Sequence, residues 1–284
     1  MKEAWLVVNV FLRTPSFIAM ENAFLDAAKA AGVRLNLRHN ASFLRAGSLD
    51  NPPPFALFFD KDVRLAQAME QAGIRLFNRA RAIAACDDKT ATFLALEKAA
   101  LPQPKTILGP VTFPGIGYGD MRFLEEIVQE LGLPLVIKEG YGSFGRQVYL
   151  AHTLDDMRRI ITATGASPLL FQAFIRESAG EDLRIYVVGG RAIAAIRRVN
   201  QTGDFRANLE NGGQAFPHQP TPEETALAVA ACEAVQADFA GVDLLFSKDG
   251  PLVCEVNSNA HFLGLRAATG VNPAEHILRL IREA

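Results

Sequence analysis

AGVDLLFSKDGPLVCEVNSNAH, residues 240–261, is the stretch whose reading decides the fold. Two apolar runs flank Lys248-Asp249-Gly250, the pattern of a hairpin with a three-residue loop whose glycine takes the left-handed position. That loop sets Ser247 against Pro251 and, counting back along both strands, Asp243 against Glu255. Side chains alternate across a strand. Val242, Leu244 and Phe246 are therefore expected on one apolar face with Leu252, Cys254 and Val256, and Asp243, Glu255 and Asn257 on the other. Like charges directly opposite on a sheet destabilise it, their stems starting only about 5 Å apart, so a cation is expected between the two acids. Two carboxylates and an amide oxygen are hard ligands suited to magnesium or manganese, and magnesium commonly takes one or two carboxylates plus substrate phosphates. The alternative is a solvent-facing hairpin with ordinary surface acids. The hairpin alone does not separate the two.

Upstream, residues 133–150 read LPLVIKEGYGSFGRQVYL. A strand ends on Lys138, Gly140, Gly142 and Gly145 follow in a short span, and Val148-Tyr149-Leu150 forms the next strand. Glycine lets backbone N–H groups turn toward an anion with no Cβ in the way, so such a loop can cover phosphates. It is not the Walker A pattern, which needs Gly-Lys-Ser/Thr opening a helix. A bare glycine-rich hairpin is more often an ordinary turn, and Lys138, aimed at the same region, strengthens the phosphate reading.

The chain has 284 residues, 49% of them hydrophobic, enough for sizeable cores in roughly two lobes. A formal charge of -2 leaves no electrostatic footprint for nucleic acid or an anionic membrane, so small molecules or peptides are the expected partners. Cys86, Cys232 and Cys254 lie far apart with no C-x-x-C spacing, as core residues of a reducing, cytoplasmic protein would. The apolar run from Trp5 to Leu12 is broken by Asn9 and preceded by Glu3, and reads as a strand rather than a secretory segment. No run of about 18 apolar residues predicts a membrane-spanning helix. The five histidines show no metal-ligand spacing, and no Ser or Cys has neighbours that mark an activated nucleophile.

Residues 1–85 alternate between strand and helix patterns: strand from Trp5 to Phe11, helix from Phe17 to Ala31 stopped by Gly32, and strands at Val33 to Leu37 and Phe55 to Phe59. A helix from Asp62 to Ala72 and a strand at Ile74 to Phe77 follow. This predicts a small parallel α/β layer structure without a dinucleotide-binding G-x-G-x-x-G. Ala80 to Ala100 reads as one alanine-rich helix containing Asp87, Asp88 and Lys89, and taken singly Lys89 is a surface lysine. Further on come a helix at Asp120 to Leu131, a Thr153-capped helix, a buried strand at Leu169 to Ile175, and an antiparallel hairpin of Ile185 to Val188 with Ala192 to Arg197. Thr221-Pro222-Glu223-Glu224 has the capping-box pattern. Arg184, Arg197, Arg198 and Arg206 fall close together, and guanidinium forks suit phosphate and carboxylate oxygens. For Arg197 an exposed edge strand is the reading taken.

Together, LPLVIKEGYGSFGRQVYLA, EDLRIYVVGGRAIAAI, TGDFRANLENGG and FAGVDLLFSKDGPLVCEVNSNAH resemble the ATP-grasp superfamily, and within it the RimK-type carboxylate–amine (glutamate) ligases, from about Ala80 onward. The resemblance implies an ATP-grasp fold, α/β with α+β character in the C-terminal part, behind a Rossmann-like N-terminal lobe. Residues 1–85 would be the pre-ATP-grasp domain and 86–284 the ATP-grasp domain, with about 100–170 as the smaller lid and 171–284 as the C-terminal subdomain. It implies that Lys89 and Lys138 contact ATP phosphates under a covering loop with Gly142, Ser143 and Gly145. Gln172, Ala173, Phe174 and Ile175 would hold the adenine and Asp182 the ribose. Asp243, Glu255 and Asn257 would bind magnesium, or manganese, bridging the phosphates. Arg206 and Asn208, with Arg198, would face the transferred phosphoryl group and the acceptor carboxylate.

The implied reaction joins a small carboxylate to an amino acid or peptide amine through an acyl phosphate, with an alpha-L-glutamate ligase as one form. A glutathione-synthetase-like or lysine-biosynthesis-like ligase, or a nucleotide-binding regulatory module without turnover, is the alternative. Its partners would be small-molecule carboxylate and amine substrates, a peptide or protein terminus among them, and the oligomeric state is open, a homo-oligomer included. Two departures stand out: Ala173 replaces the usual acidic hinge residue, and Asn257 runs into Ser258-Asn259-Ala260-His261-Phe262 where Ser-Pro-Gly is typical. That second stretch is expected to border the acceptor site.

Overall fold

Residues 2–45, 47–209 and 212–284 are described by a computed structural model; Glu210 and Asn211, within the TGDFRANLENGG string, lie outside them. The first unit is a parallel sheet of order β2-β1-β3-β4, formed by β1 (Lys2–Val8), β2 (Val33–His39), β3 (Phe55–Phe59) and β4 (Arg75–Phe77). Helix α1 (Pro15–Ala31) links the first two strands and α2 (Val63–Gln71) the last two. Thr14 caps α1 with Pro15 in its first turn, and Gly32 ends it at φ 69 with its N–H on Ala28 O and Lys29 O. β1 stops at Val8, short of the expected Phe11, because Asn9 turns the chain: its Oδ1 accepts the Phe11 N–H at 2.9 Å.

The expected single helix from Ala80 to Ala100 is two, α3 (Ala80–Asp87) and α4 (Lys89–Lys98). Asp88 breaks it at φ -102, ψ 109, where its carboxylate accepts the Thr90 N–H at 2.8 Å and caps α4. Aspartate does better as a cap than in a helix interior. The break makes Lys89 the first residue of α4, with its N–H on Gly140 O at 2.8 Å.

A second, antiparallel sheet has the order β5-β8-β6-β7, from β5 (Thr106–Leu108), β6 (Leu135–Glu139), β7 (Val148–Ala151) and β8 (Leu169–Ala173). One face packs on α5 (Phe123–Leu131) and α6 (Leu154–Thr164) through Leu124, Ile127, Met157, Ile161 and Phe171. The other face, carrying Lys138, is left for the cavity described below.

The third sheet is antiparallel, of order β11-β10-β9-β12-β13: β9 (Glu181–Val188), β10 (Arg191–Asn200), β11 (Gly213–His218), β12 (Phe239–Leu245) and β13 (Leu252–Asn257). Helix α7 (Pro222–Ala234), started by the expected Thr221 capping box, packs Leu227, Ala228 and Ala231 on Ile185, Val187 and Val242. α8 (Leu263–Thr269) and α9 (Pro273–Glu283) complete the chain order. The opposite face of the sheet shares one core with the first unit. Leu6, Phe24 and Phe59 cluster with Tyr186, Phe239, Phe262 and Ile277, and α1 packs against α9. Asn78, fully buried, ties the two units by polar bonds as well. Its Nδ2 donates to Phe239 O (2.9 Å) and Ser258 O (3.2 Å), and its Oδ1 accepts from Asp238 N and Phe239 N.

In the β12–β13 hairpin Asp243 does pair with Glu255, but Leu244 pairs with Val253, so Cys254 is an extra residue. Val242, Leu244 and Val256 keep the expected apolar face with Phe246 packed against it, and the bulge overturns the placement of Leu252 and Cys254. Val253 turns into the core beside Leu244, each 1% exposed, and Cys254 joins the acidic face. The strands also end earlier, at Leu245 and Leu252.

Candidate active site

A cavity between the second and third sheets gathers every residue assigned above except Asn257. β6 contributes Lys138, β8 contributes Gln172 and Ala173, and Phe174 and Ile175 follow as β8 ends. Lys138 is 7% exposed, and among the described residues it makes no ion pair; its Nζ lies 3.6 Å from the Cys254 Sγ. Burial pushes the Cys254 thiol up, so it offers no thiolate to that ammonium. A buried, uncompensated cation is costly unless an anion arrives. Lys89 Nζ donates to Gly142 O at 3.2 Å and lies 3.8 Å from Glu255 Oε1.

The glycine loop is folded down on its far wall. Arg206 donates from Nη1 to Gly145 O at 2.6 Å while its other N–H groups hold Asp204. A Cβ at Gly145, whose φ is +69, would meet Asn208 Oδ1 at 2.7 Å, so this close approach requires glycine.

The floor is a chain of buried charges. Arg198 forks onto Asp182 (2.6 and 2.5 Å) and reaches Asp243 Oδ2 at 2.9 Å; Arg184 forks onto Asp243 at 2.7 Å for both bonds. Burial opposes charge on Asp182, Arg198 and Asp243. At Asp243 the two guanidiniums outweigh it and hold the carboxyl below its ordinary value, and at Arg198 the two carboxylates likewise raise the guanidinium's pKa. At Asp182 burial wins and pushes the carboxyl up against the pull of Arg198. The positive charge expected against Asp243 is thus supplied here by arginines. Both Asp182 oxygens point at Arg198 rather than into open space.

Among the described residues no three His, Cys, Asp or Glu side chains gather as a metal centre. The donors that fit magnesium are Glu255, which lines the wall, the Asn257 amide oxygen, and one remaining Asp243 lone pair, since three N–H bonds occupy the others, while the unpartnered, buried Asn257 Nδ2 is an N–H donor that suits an anionic oxygen. Such a set leaves the remaining positions to phosphate and water.

A second chamber adjoins the first, and Ser143, Asn208 and Glu255 line both. Asn257 opens here with Ser258, Asn259, Ala260 and His261, facing Asp60 and Lys61 at the end of β3 and Phe11, Leu12 and Phe17 near α1. The stretch after Asn257 therefore borders this chamber. The His261 ring packs edge-on between Phe17 (4.5 Å) and Phe144 of the glycine loop (5.4 Å).

Two side chains at these cavities carried no assignment from sequence. Arg184 stands two residues after Asp182 on β9 and directly opposite Asp243, so the strand period places it on the site's face. Lys61 bonds Asp87 (2.5 Å) and Ser143 Oγ (3.1 Å). The rule that parallel sheets bind ligands at the carboxyl ends of their strands points to it.

The sequence matches the RimK-like ATP-grasp domain over residues 86–281. This chain belongs to the RimK-like ATP-grasp family. It is 34% identical over 222 residues to a protein named probable alpha-L-glutamate ligase in Syntrophotalea carbinolica, covering 77% of this chain and 71% of that one. To beta-citrylglutamate synthase B of Danio rerio it is 32% identical over 247 residues, 86% of this chain and 59% of the other. In fold it is similar to the ATP-grasp ligase PsnB, solved with magnesium, ADP and a phosphomimetic precursor: TM-score 0.70, 17% identity, covering 100% of this chain and 99% of PsnB. The RimK-like chain is accordingly an ATP-grasp ligase, a carboxylate–amine ligase by family, as the resemblance in its motifs implied. No helix among its described residues is long and apolar enough to cross a membrane.

Proposed function

We propose that the chain uses ATP and magnesium to activate a small carboxylate as an acyl phosphate in the first cavity and joins it to an amine delivered through the second chamber. The observation that carries this is the buried Lys138 ammonium, unpaired among the described residues, beside Lys89 and Arg206 under a glycine loop, in a cavity that opens on a second one. A carboxylate attacking the γ-phosphate brings two anions together, so cations must stand around the reaction in a site closed to water. Lys89, Lys138 and Arg206 supply that charge, and Arg198 and Arg184 hold the acidic floor in place. Magnesium, when bound by Glu255, Asn257 and Asp243, would neutralise charge on the phosphates. The carboxylate oxygen forms a bond to the γ-phosphorus as the bond to the β-phosphate oxygen breaks, releasing ADP. The amine nitrogen then bonds to the acyl carbon, phosphate leaves with the electron pair of the C–O bond, and the amine loses a proton. No protein nucleophile is needed. The glycine loop, held by Arg206, keeps water from the acyl phosphate. Three unpaired cysteines, two of them buried, support a reducing, cytoplasmic setting.

The test is ADP release by purified protein with magnesium across pairs of carboxylates and amines, with products identified by mass. Pair-dependent ADP release is expected; tight ATP binding without it across a broad panel sinks the ligase reading. Turnover and magnesium dependence that survive both Asp243→Asn and Glu255→Gln would remove the metal assignment.

A further inference from the structure

The second chamber has a cavity volume of about 430 Å³, within the usual range for small-molecule sites. Its charges are already answered, with one exception. Glu21 holds Arg13 at 2.7 Å, Lys61 holds Asp87 at 2.5 Å, Arg184 holds Asp243 at 2.7 Å, and Glu255 has Lys89 at 3.8 Å. Asp60 is 7% exposed and makes no ion pair among the described residues. It accepts from the Asn9 amide (3.2 and 3.3 Å) and from the Lys61 backbone N–H (2.7 Å), with the Asp62 backbone N–H also turned to it. Burial pushes its carboxyl up, as expected of an acid in want of a cation. Asp60 stands next to Lys61, whose ammonium touches Ser143 where the two cavities join. On the same wall Asn259 keeps a buried Oδ1 without a partner, a second acceptor for N–H donors. Beside the polar Asn208, Asn257, Ser258 and His261, the wall has an apolar side: Phe17 and Phe59 line it, and Phe11, 85% exposed, and Leu12, 39% exposed, stand over it.

From this charge balance we propose that the chamber selects an amine with an apolar body, an α-amino compound of the leucine or phenylalanine type, whose ammonium sits on Asp60, and that it turns glutamate away. Leucine and glutamate share an α-carboxylate, but glutamate would bring a second carboxylate into the chamber, and among the described lining residues no lysine or arginine is without an acidic partner to receive it. Phe11 and Leu12 would instead close over a hydrocarbon side chain, covering their own exposed surface. The proposal deepens the ligase reading and rests on it, since it names the amine that attacks the acyl phosphate.

Calorimetric titration of the full chain, loaded with ADP and magnesium, reads the proposal without turnover. L-Leucine or L-phenylalanine should bind about ten-fold or more tightly than L-glutamate, and Asp60→Asn should weaken that binding by about the same factor while ADP affinity stays within about two-fold. Leu12→Ser, at the mouth, should weaken the apolar amines and leave glutamate unaffected. Titration with Leu-Gly-Gly separates the two sources of such an amine: tighter binding than leucine assigns a peptide N-terminus, weaker binding a free amino acid. Glutamate binding as tightly as leucine and phenylalanine, no binding by either apolar amine, or an Asp60→Asn variant that folds and binds them unchanged would each overturn the proposal. Apolar-amine binding with no ADP release for any carboxylate defeats the ligase reading alone. ADP release driven only by glutamate defeats this proposal alone.

Discussion

Lys138 and Asp60 are both buried charges without an opposite partner among the described residues, and each predicts a distinct response to neutralisation. Lys138→Met keeps the shape of the side chain and removes the ammonium. The KM for ATP should rise about ten-fold or more while the Tm measured without nucleotide holds or increases, because a desolvated cation has been removed. A KM left unchanged would remove Lys138 from the phosphate site. At Asp60 the stability argument runs through pH. Its folded-state pKa is raised by burial, with the Asp62 charge adding to the shift and Asn9 and the Lys61 and Asp62 backbone N–H groups opposing it. The folded protein therefore binds the proton more tightly than the unfolded chain, and the cost of the carboxylate is fully present at neutral pH. Asp60→Asn should raise the Tm at pH 7, and the gain should shrink as pH falls through the folded-state value and vanish below the ordinary aspartate range. Thermal melts of both proteins across that range check it; a gain that persists at low pH would mean a cause other than charge.

The elements that carry these side chains were legible to different degrees. The acidic face of the hairpin was readable because Asp243 and Glu255 keep the register counted from the turn. The bulge was not, since nothing in Leu-Val-Cys-Glu distinguishes Val253 from Cys254 as the residue to turn inward; the choice is made by the core, which takes the valine. Gly241 shows how tightly that hairpin is set: a Cβ there would come 2.5 Å from Ala260 Cβ and 3.6 Å from Arg184 Nε. Gly241→Ala should cost about 1 to 3 kcal/mol in denaturant unfolding, with a larger fractional loss of activity as Arg184 leaves Asp243. The α3–α4 break was misread because alanine content favours one helix, while the Asp88 cap that outweighs it is a local, polar signal. Asp88→Ala removes the cap at about 1 kcal/mol and should lower ATP affinity through Lys89, as a fluorescent-nucleotide titration would detect. α9 carries Asn272-Pro273 and an apolar spacing at Ile277, Leu278 and Ile281, so its existence was open to sequence reading; its partner α1 was not, because nothing local pairs the first helix with the last.

At the scale of the molecule, the second chamber is made where the parallel sheet meets the third sheet, and both share one core. Asn78 answers four backbone groups across that seam. Asn78→Leu, which answers none of them, should destabilise the whole chain by about 3 kcal/mol or more, on the order of one to three per orphaned buried group, in a single transition seen by calorimetry. Two separate transitions would show that the units melt independently. The packing of α1 on α9 also imposes an order in time. During synthesis the apolar face of α1, with Met20, Phe24 and Ala27, emerges with the first strands and waits for Ile277, Leu278 and Ile281 to leave the ribosome. The residues lining the first cavity, from Lys89 to Glu255, are all made before that helix arrives. The residues lining both cavities are thus all made before the contact that joins α1 to α9, and that contact closes last, on walls already synthesised.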